Sequence, residues 1–407
     1  MTGPGDAVAR LVREEGTRVL ATLVRVTGSI DLAEDVVQDA AVRALETWSV
    51  DGVPDNPRAW LLLTAKRRAI DLLRREARRS GKEAESVVTF DPAPEPACVV
   101  RDDLLRLVFT CCHPSLAMDA QVALALRTLG GLSTAEVARG LMVSEASMAK
   151  RLTRAKQKIA QAGIPYRVPD AAELPGRLGG VAATVYLIFN EGYAPGAGGD
   201  LVRGALTAEA VRLARLLVEL MPDEPTLIGL LALLLLHSAR HPARVDGAGR
   251  PVLLPDQDRT LWDAELIKEG ISLVGTGLRR CPSQPDAYVV QAAIAACHAL
   301  APSYAETNWS AVISWYDVLL TVSDTAVVRL NRAVAVASRD GAAAGLALVD
   351  ALAGLETYPW WHATRAELLA RLGELGPARA AYQRALGLPM SDPQAEQVRT
   401  RLAALEG

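Results

Sequence analysis

The sequence predicts an all-α protein, and three observations indicate this fold class. Half of the 407 residues are hydrophobic and only three are Phe, while Ala and Leu, two of the best helix formers, dominate the chain. Runs that alternate polar and β-branched residues, as in a half-buried strand, are hard to find. Apolar residues instead recur at steps of three and four, the spacing of one helix face. The chain length predicts two or three domains.

The clearest local pattern is a helix-turn-helix between Leu132 and Ile159. Ser133 and Glu136 have the spacing of a capping box, so a first short helix is predicted from Thr134. Ser144 is the predicted N-cap of a second helix, which has one apolar face. Its other face is basic, with Lys150, Arg151, Arg154, Lys156 and Lys158 and no acid between residues 147 and 160. Such a helix can enter the major groove of DNA.

Three more helices are predicted upstream, and the last two carry opposite charges. The first covers about residues 7–27, and the second begins after Asp31 as N-cap, with an acidic, amide-bearing face. The third begins at Pro57 and has Trp60, Leu63, Ala65, Ile70 and Leu73 as its predicted apolar stripe. Between residues 66 and 82 it carries eight basic residues against two acids. A patch of this density can neutralise several phosphates.

These motifs together resemble the bacterial extracytoplasmic-function (ECF) sigma factors. The resemblance rests on DLAEDVVQDAAVRALETW, PRAWLLLTAKRRAIDLLRR and the helix-turn-helix, in that order. It implies domains at 1–80 (region 2) and 104–165 (region 4), joined by a flexible linker at 81–103. Within that linker, FDPAPEPACVV is rich in proline and predicted to be extended. A C-terminal helical domain at 166–407 completes the predicted organisation.

The resemblance also implies three binding surfaces, with core RNA polymerase and promoter DNA as partners. Arg67 stands where the family pattern has Asn. The polymerase-binding residues would be Asp31, Glu34, Asp35, Gln38 and Asp39. The −10 element would be bound by Arg67, Arg68, Asp71, Arg74, Arg75, Arg78 and Arg79. The −35 element would be bound by Ser144, Glu145, Ser147, Lys150, Arg151, Arg154 and Lys158.

The C-terminal part shows internal repetition. Val312, Gly345 and Ala378 are spaced 33 residues apart, as are Tyr316, Val349 and Tyr382. This period is close to that of tetratricopeptide repeats, which stack as helix pairs into a solenoid with a concave binding surface. A peptide or protein regulator is therefore a candidate partner. The segment YLIFNEGYAPGAGGD resembles the ECF subgroup with a long helical extension, and it contains the candidate interdomain contacts Tyr186, Asn190, Glu191 and Tyr193.

Charge differs between the two parts of the chain, and cysteine usage with the N-terminal sequence predicts an intracellular location. Residues 1–165 have a net charge of +2 and the remainder −5, so a mildly basic part precedes an acidic one. The five cysteines form no CxxC pair, which is typical of reduced thiols in the cytoplasm. No signal peptide is evident at the start, and the apolar run 227–236 is too short to span a bilayer. No membrane association is expected.

No cofactor, metal site or catalytic residue is predicted. Cys111, Cys112 and His113 are adjacent, without a second ligand pair, and His237 and His241 lack the glutamate of a HExxH motif. An enzyme with a site around Asn190, Glu191 and His237 is one alternative, although no nucleophile–base pair is visible. The main alternative is a helix-turn-helix repressor with peptide-sensing repeats. It would have no use for the acidic polymerase-binding face.

Overall fold

A computed structural model describes residues 4–80, 97–141, 143–170, 172–193, 200–246, 252–390 and 392–405. These residues form α-helices and three short 3-10 helices, with no β-strand among them, so the all-α prediction is confirmed. Contacts divide the chain into two compact units, Met1–Ile188 and Phe189–Gly407. This division falls inside a helix, so it is not a domain boundary of the predicted kind. The boundary at residue 166 stays a prediction.

The first unit contains the predicted region 2 and region 4. Its helices are α1 (Pro4–Thr27), α2 (Ile30–Asp51), α3 (Pro57–Ser80), α4 (Ala97–Cys111), α5 (Met118–Thr128), α6 (Thr134–Gly140), α7 (Glu145–Gln161) and α8 (Leu174–Tyr193), the last of which continues into the second unit. Helix α1 packs against α2, α3 and α4. Helix α4 begins inside the segment predicted as linker, and residues 81–96 of that segment lie outside the described residues.

Helix α2 begins earlier than the sequence predicted. Its N-cap is Ser29, whose hydroxyl accepts a hydrogen bond from the Leu32 amide at 3.3 Å. The prediction of Asp31 as N-cap was therefore wrong, because Ser29 already satisfies a free amide of the first turn. The buried residues of α2 are Ile30, Ala33, Val36, Ala40, Ala44 and Trp48. As a consequence, the Asp31 carboxylate is available for a contact outside its own helix.

The buried row of helix α3 shares only Ala65 with the predicted stripe. Its most buried side chains are Leu61, Ala65 and Ala69, which recur at steps of four. Trp60 is only partly buried, and its ring packs edge-on against Trp48 with centroids 5.4 Å apart. Along this row α3 packs against α1 and α2, and the arginines lie on the opposite side of the helix.

The helix-turn-helix forms as predicted. The Ser133 hydroxyl accepts from the Glu136 amide while the Glu136 carboxylate accepts from the Ser133 amide, which completes the capping box. Ser144 caps α7 by accepting from the Ser147 amide at 3.2 Å. Met148, Leu152 and Ala155 are buried, and α7 packs against α5 and α6. The 3.6-residue period and the caps were therefore sufficient to locate both helices.

The second unit consists of helices that mostly contact their neighbours in sequence. They are α9 (Asp200–Leu220), α10 (Pro225–Ser238), α11 (Ala264–Arg280), α12 (Ala287–Leu300), α13 (Trp309–Val322), α14 (Ala326–Asp340), α15 (Ala342–Asp350), α16 (Pro359–Arg371), α17 (Leu375–Leu386) and α18 (Asp392–Ala403). The 3-10 helices are His241–Ala243, Leu254–Asp256 and Arg259–Leu261. Helix α10 packs against α9, α11 and α12.

The 33-residue period corresponds to pairs of helices. Val312, Gly345 and Ala378 are all buried, and they lie on α13, α15 and α17. Each is followed by a second helix, so one repeat is an α-hairpin, as in a helical solenoid. Ion pairs recur with the same period: Asp317 accepts from Arg332 at 2.6 Å, and Asp350 accepts from Arg365 at 2.6 Å.

One described stretch, Pro225–Ala243, is long and apolar enough to cross a membrane by composition. Its most apolar window is 67% buried inside the structure. The leucines of α10 are in contact with neighbouring helices on several sides, as in the central helix of a packed domain.

Candidate functional site

The acidic face of α2 is only partly open to solvent. Asp35, Gln38 and Asp39 are exposed, whereas Glu34 is partly buried. Asp39 accepts a hydrogen bond from the Arg68 guanidinium of α3 at 2.9 Å, which joins two of the predicted binding surfaces. The predicted polymerase-binding residues therefore form one continuous face, and its N-terminal end is in contact with other parts of the unit.

That contact is made by Lys156 of the helix-turn-helix. Its ammonium group lies 2.8 Å from Asp31 Oδ1 and 2.8 Å from Glu34 Oε2. The Lys156 side chain is 12% exposed and that of Glu34 is 15% exposed. Burial lowers the pKa of Lys156, but the hydrogen bonds to the two carboxylates outweigh it, and the net shift of the pKa is upward. The lysine is therefore charged and bound at neutral pH. From the sequence, Lys156 was predicted to lie on the basic face of this helix together with the other lysines and arginines.

A buried carboxylate strengthens the same contact between the two regions. Asp103 of α4 has no exposed side-chain area, and it accepts from Arg25 of α1 at 2.9 Å and from Arg106 at 3.0 Å. A buried charge requires such partners, since leaving it unpaired is costly. The role of Asp103 was not predicted from the sequence. An acid beside the apolar run LLRLVF, at a position that helical period buries, was the available signal.

The segment between α7 and α8, which contains Tyr166, also joins α1 to α4. The Tyr166 hydroxyl lies 2.8 Å from the Ala21 carbonyl and 2.9 Å from the Asp103 carbonyl. Burial, followed by the charge of Asp103, raises the pKa of this phenol. In addition, the Thr17 hydroxyl donates to the Leu129 carbonyl at 3.0 Å. This role of Tyr166 was not predicted from the sequence.

The contact between the regions is not fully packed. A cavity of about 230 Å³ lies between α1, α2 and the end of α5, and its walls include Leu20, Gln38 and Arg127. Glu34 also lines it, with a buried Oε1 that has no hydrogen-bond partner among the described residues. Arg127 Nη2 is 3.8 Å from the other oxygen of Glu34, which is a weak ion pair. Interfaces with such voids lose dispersion contacts.

The predicted −10 surface lies along α3. Arg67, Arg68, Asp71, Arg74 and Arg75 are exposed on its outer side. Arg78 and Arg79 lie in the helical span, but their side chains are outside the described residues. Positive groups spaced along one helix can follow a nucleic-acid backbone.

The predicted −35 surface is the outer side of α7. Its exposed members are Ser144, Glu145, Ser147, Lys150, Arg154 and Lys158, whereas Arg151 is partly buried and lies 3.4 Å from Asp119. The Ser144 hydroxyl caps the helix, so its backbone position is fixed. Apart from Arg151, which contacts α5 through Asp119, the members of this row are open to solvent.

The candidate interdomain residues fall on both sides of the division between the units. Tyr186 and Asn190 are partly buried, Glu191 is exposed, and Gly-rich residues 194–199 lie outside the described part. Tyr193 packs on His237, with ring centroids 5.5 Å apart, and its ring lies 3.5 Å from the Arg244 guanidinium. Their predicted role between domains stays a prediction. No nucleophile–base pair appears around His237 within the described contacts.

The described residues contain no group of three or more His, Cys, Asp or Glu side chains arranged for a metal ion. Cys111 and Cys112 are buried free thiols. Burial raises the pKa of Cys112 to about 12, which keeps it protonated and unreactive at neutral pH.

Family comparisons agree with this organisation. Residues 11–79 match Sigma-70 region 2, residues 106–159 match Sigma-70 region 4, and residues 177–277 match a family of unknown function, DUF6596. An uncharacterized protein of Rhizobium meliloti (strain 1021) is 42% identical over 95% of this chain and 92% of its own length. The similarity to that relative therefore includes the C-terminal part.

Two mycobacterial proteins match a smaller share of the chain. ECF RNA polymerase sigma factor SigJ of Mycobacterium tuberculosis is 35% identical over 39% of this chain and 53% of its own length. SigL of the same species is 30% identical over 37% of this chain and 88% of its own length. With both sigma regions present in order and a helical extension behind them, the chain belongs to the ECF sigma-factor family.

Proposed function

We propose that this sigma factor binds core RNA polymerase through the α2 face and directs promoter-specific initiation. In this proposal α3 binds the melted −10 element and α7 reads the −35 element in the major groove. The C-terminal helical unit modulates these activities, and its repeats are a candidate binding surface for a peptide or protein regulator. The observation that carries the proposal is the presence, in one unit, of an exposed acidic face and two separate basic helices.

The two basic helices suit different forms of DNA. Helix α7 is held by a helix-turn-helix whose caps fix its orientation, which favours reading base edges in a duplex. Helix α3 is longer and presents arginines over several turns, which favours contact with the backbone of a melted strand. A division of labour between duplex and single strand is what promoter opening requires.

The Lys156 contact adds a condition for activity. Asp31 and Glu34 cannot bind Lys156 and the polymerase at the same time, so full engagement of the α2 face requires region 4 to separate from region 2. Asp35, Gln38 and Asp39 remain exposed for a first encounter. We infer that the described arrangement is a resting state, and that binding of polymerase replaces the lysine.

Run-off transcription with core RNA polymerase and a promoter library at fixed salt tests the proposal. Asp35→Lys should abolish binding to core polymerase, because it reverses an exposed charge in the centre of the α2 face. Asp51→Lys is the matched control, since Asp51 is exposed on the same helix but about 160° around it from Asp35. Intact duplex binding with no affinity for core polymerase in the unaltered protein would favour the repressor alternative.

A further inference from the structure

The second unit contains a cluster of cationic and aromatic side chains around Trp262, which we call the Trp262 cluster. The guanidinium carbons of Arg240 and Arg259 lie 5.3 and 4.6 Å from the Trp262 ring centroid. Nearby, Arg244 lies over the ring of Tyr193. Within the described part of the chain, none of the three arginines forms an ion pair with a carboxylate. Arginines held close together without an acid usually have an anionic partner.

Unpartnered polar atoms are concentrated in the same place. The buried atoms without a hydrogen-bond partner among the described residues include His237 Nδ1, Ser238 Oγ, Arg259 Nη2, Trp262 Nε1 and His298 Nδ1. Folded proteins satisfy the great majority of buried polar groups, so several orphans in one cluster require an explanation. Trp Nε1 and Arg Nη2 are donors only, which means that the missing partner must accept hydrogen bonds.

Helix capping accounts for part of the cluster but leaves these donors over. Arg259 Nη1 donates to the carbonyls of His298 and Ala301 at the end of α12, and Arg244 donates to the Tyr193 carbonyl at the end of α8. Basic side chains at helix C-termini are favourable. Arg240 Nε makes a longer bond, 3.3 Å, to Gln257 Oε1. The second nitrogen of Arg259 and the indole of Trp262 have no comparable role.

The histidines of the cluster are neutral and can act as donors. Burial, followed by the charges of Arg240 and Arg244, lowers the pKa of His237 to about 3. Burial, followed by the charge of Arg240, lowers the pKa of His298 to about 4. The causes of these two pKa shifts also show that both imidazoles lie in the electric field of the nearby arginines. A bound anion would offset the excess positive charge that Arg240, Arg244 and Arg259 create.

We propose that the Trp262 cluster is a binding site for an oxyanion, a phosphate or a carboxylate group, carried by a small ligand. Arg240 and Arg259 would contact its oxygens beside Trp262, whose Nε1 would donate a third hydrogen bond. Arginine is suited to this task because its planar fork matches both phosphate and carboxylate geometry. The site lies within the segment that matches a family of unknown function for most of its residues, and it gives the second unit a ligand input separate from the sigma regions.

Calorimetry on the full chain with inorganic phosphate or sodium acetate, at ionic strength held constant with sodium chloride, tests the proposal. Saturable binding of phosphate alone would identify a phosphate-bearing ligand, and of acetate alone a carboxylate-bearing one. Binding of both would identify a general oxyanion site. Each of these results supports the site. A heat signal no different from that of chloride would overturn it.

Trp262→Phe sharpens the test, because it keeps an aromatic ring and removes the Nε1 donor. Without ligand its stability should equal or exceed that of the unaltered chain, since an unpartnered buried donor is lost. Its affinity for the oxyanion should fall about tenfold or more, the effect of losing a hydrogen bond to a charged group.

Arg240→Gln should weaken binding at least as much, and it provides a second variant if the first does not fold. Arg279→Gln is the control, because Arg279 is an exposed arginine of the same unit outside the cluster. Oxyanion binding that is the same in Trp262→Phe, Arg240→Gln and the unaltered chain would show that the ion binds elsewhere and would overturn the assignment.

Discussion

The contact between region 2 and region 4 and the stack of repeats in α13–α18 are held together in different ways. The first adds to the packing of α1 on α4 a set of long-range polar links, namely Lys156 with two carboxylates, Asp103 with two arginines, and the Tyr166 hydroxyl. The second depends on successive apolar clusters with small residues at close approaches. Polar links can be exchanged for water or a partner at little net cost, whereas buried apolar area cannot. We infer that the first contact is built to separate and the second to persist.

The largest effect is expected from crowding the repeats. A Cβ at Gly345 would lie 2.3 Å from the Ala337 Cβ and 3.1 Å from the Ala333 carbonyl. Gly345→Val should therefore destabilise the second unit by about 3 kcal/mol, as overpacking does. Hydrogen exchange should show lost protection in α13–α18 and unchanged protection in α1–α7.

Gly376→Val is its matched control, because Gly376 is also helical and a Cβ added there would have no neighbouring atom within 4 Å. It should leave protection unchanged or slightly raise it, since glycine is a poor helix former. Equal losses in both variants would show that helix propensity, and not close packing, governs the repeats.

A smaller effect is expected from removing one partner of Asp103. Arg25→Ala breaks the link between α1 and α4 and should cost about 2 kcal/mol, less than for a fully buried pair because Arg106 remains. Arg106→Ala removes the partner within α4 itself and should leave the two regions together. Small-angle scattering should detect expansion in the first variant and none in the second. Expansion in both would mean that the charge of Asp103, and not the link to α1, determines the contact.

The smallest change in stability, with the clearest functional result, is expected at Lys156. Lys156→Ala should cost about 1 kcal/mol and raise the affinity for core polymerase about fivefold, because the α2 face no longer has to be uncovered. Lys158→Ala removes the same charge two residues later, at an exposed position, and should not raise polymerase affinity. Unchanged affinity in Lys156→Ala would contradict the resting-state proposal.

Local patterns in the sequence were sufficient for the helices of the helix-turn-helix and for the 33-residue repeat. Capping residues such as Ser133 and the period of Met148, Leu152 and Ala155 are encoded within one or two turns. The stripe of α3 was predicted only in part: Ala65 was included, but the equally buried Leu61 and Ala69 were not. A small residue such as Ala69 gives a weak hydropathy signal even where it is fully buried.

Long-range pairing could not be predicted in the same way. Lys156 and Glu34 are 122 positions apart, and nothing in the local sequence of either indicates the other. Asp103 and Trp262 show the same limit, since their significance depends on what lies around them in space. Within the candidate site, residue types and faces were predictable, but which charges are already bound was not.

The Tyr166 hydroxyl has one proton, and two carbonyl oxygens lie within reach of it. The two acceptors therefore share a single hydrogen bond, and neither has it in full. If α1 moves away, the hydroxyl can direct its whole hydrogen bond to the Asp103 carbonyl of α4. Separation of α1 from α4 would therefore strengthen one hydrogen bond of Tyr166 while it breaks the other. In this way the tyrosine reduces the free-energy difference between the associated and the separated regions.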